Sequence, residues 1–207
     1  MRALIAEHYP EHGVFGEEFG QHQKDSEFQW CLDPIDGTKA FTSGKPIFGT
    51  LISLLHLGQP IIGIIDQPIL HERWIGSRGE PTVLNGSQIH TRFCSTLENA
   101  VLNTTSPDMF IGGDWGRFRR LSDKTKDTVY GGDCYGYAML ACGHIDLVVE
   151  ADLKPYDYLA LMPVLQGAGA LISDWQGNSL DLNSDGHVIA AGDSELLPKV
   201  VEVLNSE

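Results

Sequence analysis

Two nearly unbroken aliphatic runs, "GTLISLLHL" (49–57) and "PIIGIIDQPIL" (60–70), stand either side of a Gly58-Gln59-Pro60 break. His, Gly-Gln-Pro and Asp interrupt them too often for a membrane span. Runs of this length bounded by turn residues suit buried strands joined as a hairpin. That pair places a sheet at the centre of the first half, and its neighbours extend it. "ERWIGSRG" (72–79) continues the meander, and Asn85-Gly86 marks another tight turn. "FQWCLD" (28–33) is a short strand whose tip carries an acid. Met1 to His8 reads as the end of a helix stopped by Pro10 and Gly13, and a short helix is expected near Lys39 to Thr42.

The second half changes rhythm. Strands are predicted at "AVLNTT" (100–105), "TVYGG" (128–132), "HIDLVVEA" (144–151), "ALISDW" (170–175) and "HVIAAG" (187–192). Helices are predicted at "WGRFRRLSD" (115–123), "DCYGYAMLACG" (133–143), "YDYLALMPVLQGAG" (156–169) and around Pro198 to Leu204. Alternation of this kind indicates a layered α/β fold. No linker or repeat divides the 207 residues, so a sheet lobe (1–100) and an α/β lobe (101–207) are expected to form one compact unit.

A formal net charge of −14 leaves no basic stripe for a nucleic-acid backbone. The four cysteines have neither zinc-finger nor disulfide-framework spacing, which points to free thiols in a reducing compartment. With no apolar leader at the start, a soluble cytoplasmic protein is expected, with no membrane partner.

The acids fall at the ends of these elements: Glu17 and Glu18 in "GEEFG", Asp33 and Asp36 in "LDPIDGT", Asp133 in "GGDCY", and Glu150 and Asp157 in "VVEADLKPYD". Taken singly, each has an ordinary explanation. Glu-Glu pairs are commonly solvated, Asp-Pro and Asp-Gly make turns, Asp133 and Asp157 sit where acids cap helices, and Glu150 could be a surface acid. Read as a unit, "LDPIDGT" resists that explanation. An acid leaving a sheet core needs a partner, and Pro34 stiffens the bridge to a second acid. With Glu17 and the Ile35 carbonyl, the set is all-oxygen and strongly anionic, which suits Mg²⁺. Gly37 and Thr38 then open a short helix whose free N–H groups can hold a phosphate. Metal ligands beside such a helix start are the parts of a phosphate-ester hydrolase.

"GEE", "LDPIDGTKAF" and "PYDYLAL" followed by "GAGA" resemble, in order and over essentially the whole chain, the inositol monophosphatase superfamily of Mg²⁺-dependent, lithium-sensitive phosphatases. "NTTSPDMF" and "GGDCYGYAMLACGHIDLVVEADLKPYDYLAL" are similar to its histidinol-phosphate phosphatase branch; in the inositol branch the last aspartate usually follows a Trp, whereas here Tyr156 precedes Asp157. The resemblance implies a sugar-phosphatase-like fold, with Glu17, Asp33, Asp36 and Asp157 as carboxylate ligands to two or three Mg²⁺ and Ile35 contributing its carbonyl. It implies phosphate binding by Asp36, Gly37 and Thr38, with the Thr38 hydroxyl orienting the attacking water. Asp133, Glu150 and Asp157 would face the alcohol, and acids at that end suit histidinol, which carries an ammonium and an imidazole. No Cys or Ser nucleophile is needed, so Cys134 is expected to be a buried structural thiol. Scattered histidines without paired spacing argue against zinc.

Members of the superfamily normally start with two long helices and an acidic loop, so Met1 falls inside the second helix and an apolar face is expected to favour a homodimer. Three functions follow: a histidinol-phosphate phosphatase of histidine biosynthesis, an inositol or sugar monophosphatase, and an inactive metal-binding remnant that self-associates.

Overall fold

The computed structural model describes residues 1–206. Helix α1 (Arg2–His8) leads into β1 (Gly13–Gly16), β2 (Phe28–Asp36), α2 (Thr38–Thr42), β3 (Gly49–His56), β4 (Gln59–Gln67), β5 (Glu72–Ser77), β6 (Val83–Leu84) and β7 (Ser87–Gln88). These seven strands form one sheet in chain order, antiparallel throughout except for β1, which pairs with β2 in parallel.

The aliphatic runs pair as β3 and β4, but the turn lies one residue earlier than the sequence suggested. Leu57 and Gly58, at φ 50° and 77°, make the two-residue connection. Pro60 lies inside β4, where the register shifts between Leu54 and Leu55 and Pro60 faces Leu55. A slipped ladder accommodates a residue with no N–H to donate.

The second half supplies β8 (Val101–Thr104), α3 (Asp114–Ser122), β9 (Asp127–Tyr130), α4 (Cys134–Ala141), β10 (Leu147–Glu150), α5 (Pro155–Tyr158), α6 (Leu161–Gly167), β11 (Leu171–Ser173), β12 (Val188–Ala191) and α7 (Leu196–Asn205). Its five strands run β11-β12-β10-β8-β9, with β10, β8 and β9 parallel. The single helix expected over 156–169 is two. Pro163 has no N–H for the Leu159 carbonyl, and the Ser53 hydroxyl donates to that carbonyl instead at 3.3 Å.

Burial alternates along the central strands. Val148, Val188 and Ala190 join a core with Leu51, Ile65 and Trp74 of the first sheet and with α4 and α6. Leu147, Val149, Ile189 and Ala191 face the other way, onto Phe118 of α3, Trp175 and Val200 of α7. The layers are therefore sheet, helices, sheet, helices, and the five-stranded sheet is covered on both faces. Close approach sets the first interface: a Cβ on Gly63 of β4 would lie 2.0 Å from the Ala160 carbonyl oxygen. Each large apolar side chain buried in these cores contributes roughly 1.5–3 kcal/mol. The site lies at the C-terminal ends of β2 and β10. No helix among the described residues is long and apolar enough to cross a membrane.

Candidate active site

Strand β2 loses register with β3 between Asp33 and Asp36. Pro34 lies in the gap with no N–H to offer, and its carbonyl accepts the Thr50 hydroxyl at 2.8 Å. Asp33 stays paired with Leu51 and Asp36 with Gly49, so the irregularity falls on the two residues between them. Asp33 Oδ1 accepts the Ile35 N–H at 3.0 Å, so a local turn is present. Asp36 Oδ2 reaches the start of α4 and accepts the Cys134 N–H at 2.6 Å. Asp157 Oδ2, in the first turn of α5, accepts the Lys154 N–H at 2.7 Å. A backbone amide thus fixes one oxygen of each acid, and the three carboxylates offer ligand atoms within 4.8 Å of one another.

No ion pair among the described residues reaches any of the three. Asp33 is only 2% exposed. Burial first, then the charges of Glu17 and Asp157, push its carboxyl up to about 7. Burial pushes Asp157 up to about 6, opposed by the Lys154 amide. Burial also holds Asp36 well above the usual carboxylate range, against the hydrogen bond from Cys134. Carboxylates that ionise reluctantly together, with fixed geometry and no basic partner, are suited to a hard divalent cation. The donor set fits Mg²⁺.

The other expected residues lie around this group. Glu17, one residue past β1, is exposed and stands outside the three-acid cluster. The Ile35 carbonyl accepts the Thr38 hydroxyl at 3.2 Å, so two residues assigned separate roles are tied together. Gly37 starts α2 at φ 83°, and a Cβ there would lie 2.9 Å from the Asp133 carboxyl. Helix capping does not explain Asp133, because its side chain makes no capping bond. Burial raises its pKa, with Lys39 and Lys45 opposing the rise. Glu150 is not a surface acid: at 2% exposed, it accepts the Thr105 N–H and the Tyr137 hydroxyl, both at 2.9 Å. Asp157 does cap its helix, while still offering its ligand atom.

Asp36, Asp133, Glu150 and Asp157 line one cavity of about 190 Å³, with Met109 and Leu153 as apolar wall. An open hollow of about 620 Å³ elsewhere is lined by Asp66 and Arg73, already paired at 2.6 Å, and lies away from the acid cluster. Cys134 is 3% exposed. Burial and Asp36 push its thiol well above the usual range, which removes it as a nucleophile.

Sequence reasoning missed Thr105, Tyr137, Met109 and Leu153. None carries charge or belongs to a metal-ligand pattern. Tyr137 gave no spacing signal either, because its hydroxyl meets Glu150 on a different element.

The sequence profile of the inositol monophosphatase family matches residues 1–207. The bifunctional phosphatase IMPL2, chloroplastic, of Arabidopsis thaliana is 49% identical over 213 residues, covering 99% of this chain. This chain spans 62% of that relative's length. A histidinol-phosphatase of Chlorobaculum parvum is 29% identical, covering 92% of this chain and 74% of its own. Among solved structures, an inositol monophosphatase from Zymomonas mobilis superposes with a TM-score of 0.94 at 47% identity, covering 99% of this chain and 79% of that one.

Proposed function

The chain belongs to the inositol monophosphatase family, and from that premise we propose that it is a Mg²⁺-dependent phosphomonoester hydrolase acting on histidinol phosphate. One observation carries the substrate choice: the small cavity beside the metal-ligand acids has Asp133 and Glu150 in its wall and no Lys or Arg lining it. An alcohol bearing positive charge satisfies those acids; inositol carries none. Relatives named histidinol-phosphatase, at 29% and 32% identity, support the choice. An inositol or sugar phosphate is the second reading, and the inositol monophosphatase of Zymomonas mobilis at 47% identity favours it.

In this reading Asp33, Asp36 and Asp157, with Glu17 and the Ile35 carbonyl, hold two or three Mg²⁺. Magnesium, when bound, supplies the positive charge that offsets the ester's phosphate and its departing oxygen. Gly37 and Thr38 grip the phosphate from the start of α2, assisted by Asp36. The Thr38 hydroxyl, anchored on Ile35, orients the attacking water. Asp133, Glu150 and Asp157 bind the alcohol, while Met109 and Leu153 exclude water from its apolar part. Residues 1–100 and 101–207 act as two lobes of one unit, which we propose to be a homodimer taking no nucleic acid. Four free thiols fit a reducing compartment, whether cytoplasm or the chloroplast named for the Arabidopsis relative.

Phosphate release from histidinol phosphate and from inositol 1-phosphate, measured with Mg²⁺, tests the assignment. A kcat/KM at least about tenfold higher for histidinol phosphate is expected. A preference for inositol phosphate overturns the substrate choice, and no hydrolysis of either overturns the activity.

A further inference from the structure

Three consecutive residues between β9 and α4 have positive φ: Gly131 at 90°, Gly132 at 138° and Asp133 at 48°. Asp133, with ψ −137°, adopts a backbone conformation that side-chain-bearing residues rarely take. Such a conformation persists only where neighbours over-determine it. The neighbours here come largely from the end of β8. The Gly131 carbonyl accepts the Asn103 side-chain amide at 2.8 Å, and the Gly131 N–H donates to the Thr105 carbonyl at 3.0 Å. The Asp133 N–H donates to the Thr105 hydroxyl at 3.1 Å. Thr105 also faces the other acid, because its own N–H donates to Glu150 Oε1 at 2.9 Å.

One residue therefore holds two acids that reach the cavity from different segments, Glu150 through its N–H and Asp133 through its hydroxyl. We propose that Thr105 is a positioning residue for substrate discrimination, setting the separation of the two carboxylates that receive a cationic alcohol. The inference rests on the histidinol-phosphate reading. Among the described residues, Thr105 makes no hydrogen bond to the three carboxylates assigned to the metal or to the Gly37–Thr38 segment. Losing its hydroxyl is thus expected to weaken turnover of a cationic ester more than turnover of an uncharged one.

The test compares kcat/KM for histidinol phosphate with kcat/KM for glycerol 2-phosphate, an uncharged alcohol's ester, in wild type, Thr105→Val, Thr105→Ala and Thr105→Ser. Valine keeps the shape and the N–H but removes the hydroxyl; serine restores it. The ratio of the two values is expected to fall about tenfold in Thr105→Val, the size of one lost hydrogen bond beside a charge. It should fall similarly in Thr105→Ala and stay within about threefold of wild type in Thr105→Ser. An unchanged ratio in Val and Ala, with both substrates losing equally, overturns the proposal and leaves only a structural role. A ratio in Ser as low as in Val or Ala overturns it too. If Thr105→Val does not fold, the Ala and Ser variants decide alone. Wild type showing no preference for the cationic ester refutes the histidinol-phosphate reading itself, and this proposal with it.

Discussion

Asp146 and Asp33 are almost equally buried, at 1% and 2% exposed, yet the protein treats them in opposite ways. Asp146 is gripped by Arg92, Nε at 2.6 Å and Nη2 at 2.5 Å, and takes the Val101 N–H at 2.7 Å. Asp33 has a single backbone donor and is surrounded by further acids. The first is a buried charge neutralised inside the chain; the second has no ion-pair partner among the described residues. Burial alone does not mark a functional acid, whereas burial among like charges does.

The largest effect expected from that contrast is on catalysis. Asp33→Asn should lower kcat/KM for phosphate release at least about a thousandfold if Asp33 is the metal ligand proposed above. The same variant should raise the melting temperature of the metal-free protein, since a neutral amide removes like-charge repulsion. Turnover near wild type would show that Asp33 is as structural as Asp146. Arg92→Ala should do the reverse. It leaves Asp146 buried and unpaired and should cost about 3 kcal/mol of unfolding free energy in denaturant titration, while the Mg²⁺ dependence of activity stays as it was. Arg92→Ala with full stability would dissolve the contrast from the other side.

The pH dependence is the smaller effect. Asp33 at about 7 and Asp157 at about 6 lie above the usual carboxylate value of 3.8. Between the usual value and these raised ones, the folded protein keeps protons that the unfolded chain has released. Stability is therefore greatest on the acid side of that window and falls as pH rises through it. Metal-free protein should melt several degrees lower at pH 8 than at pH 5.5, and saturating Mg²⁺ should recover more at pH 8 than at pH 5.5. Equal Mg²⁺ stabilisation at the two values would mean that the acids are ionised without it.

Much of the fold was legible because its signals are local. Asn85-Gly86 makes its tight turn, and residues 147–149 and Val188–Ala191 are unbroken aliphatic runs because both faces of their sheet are covered. Errors arose where tertiary contact overrode local pattern. Pro60 was read as turn because its place opposite a register slip depends on β3, and the helix over 156–169 divides where Ser53, more than a hundred residues away in sequence, takes a carbonyl. In the site, "LDPIDGT" announced Asp33 and Asp36, because two acids and a proline in four residues are visible in one dimension. Thr105 and Tyr137 were not, since a hydroxyl that organises a distant acid leaves no spacing pattern. Asp133 was legible as an acid at a helix start but not as one pressed against Gly37, which only the meeting of α2 and α4 reveals.

Calorimetric titration of the metal-free protein with Mg²⁺ at pH 6 and pH 8, in buffers of differing ionisation enthalpy, counts the protons displaced when the acids receive their cation. If Asp33, Asp36 and Asp157 share buried space only because a divalent ion neutralises them, binding at pH 6 releases about one proton or more and binding at pH 8 releases far fewer. Binding without proton release at pH 6, or no binding in a well-folded protein, contradicts it.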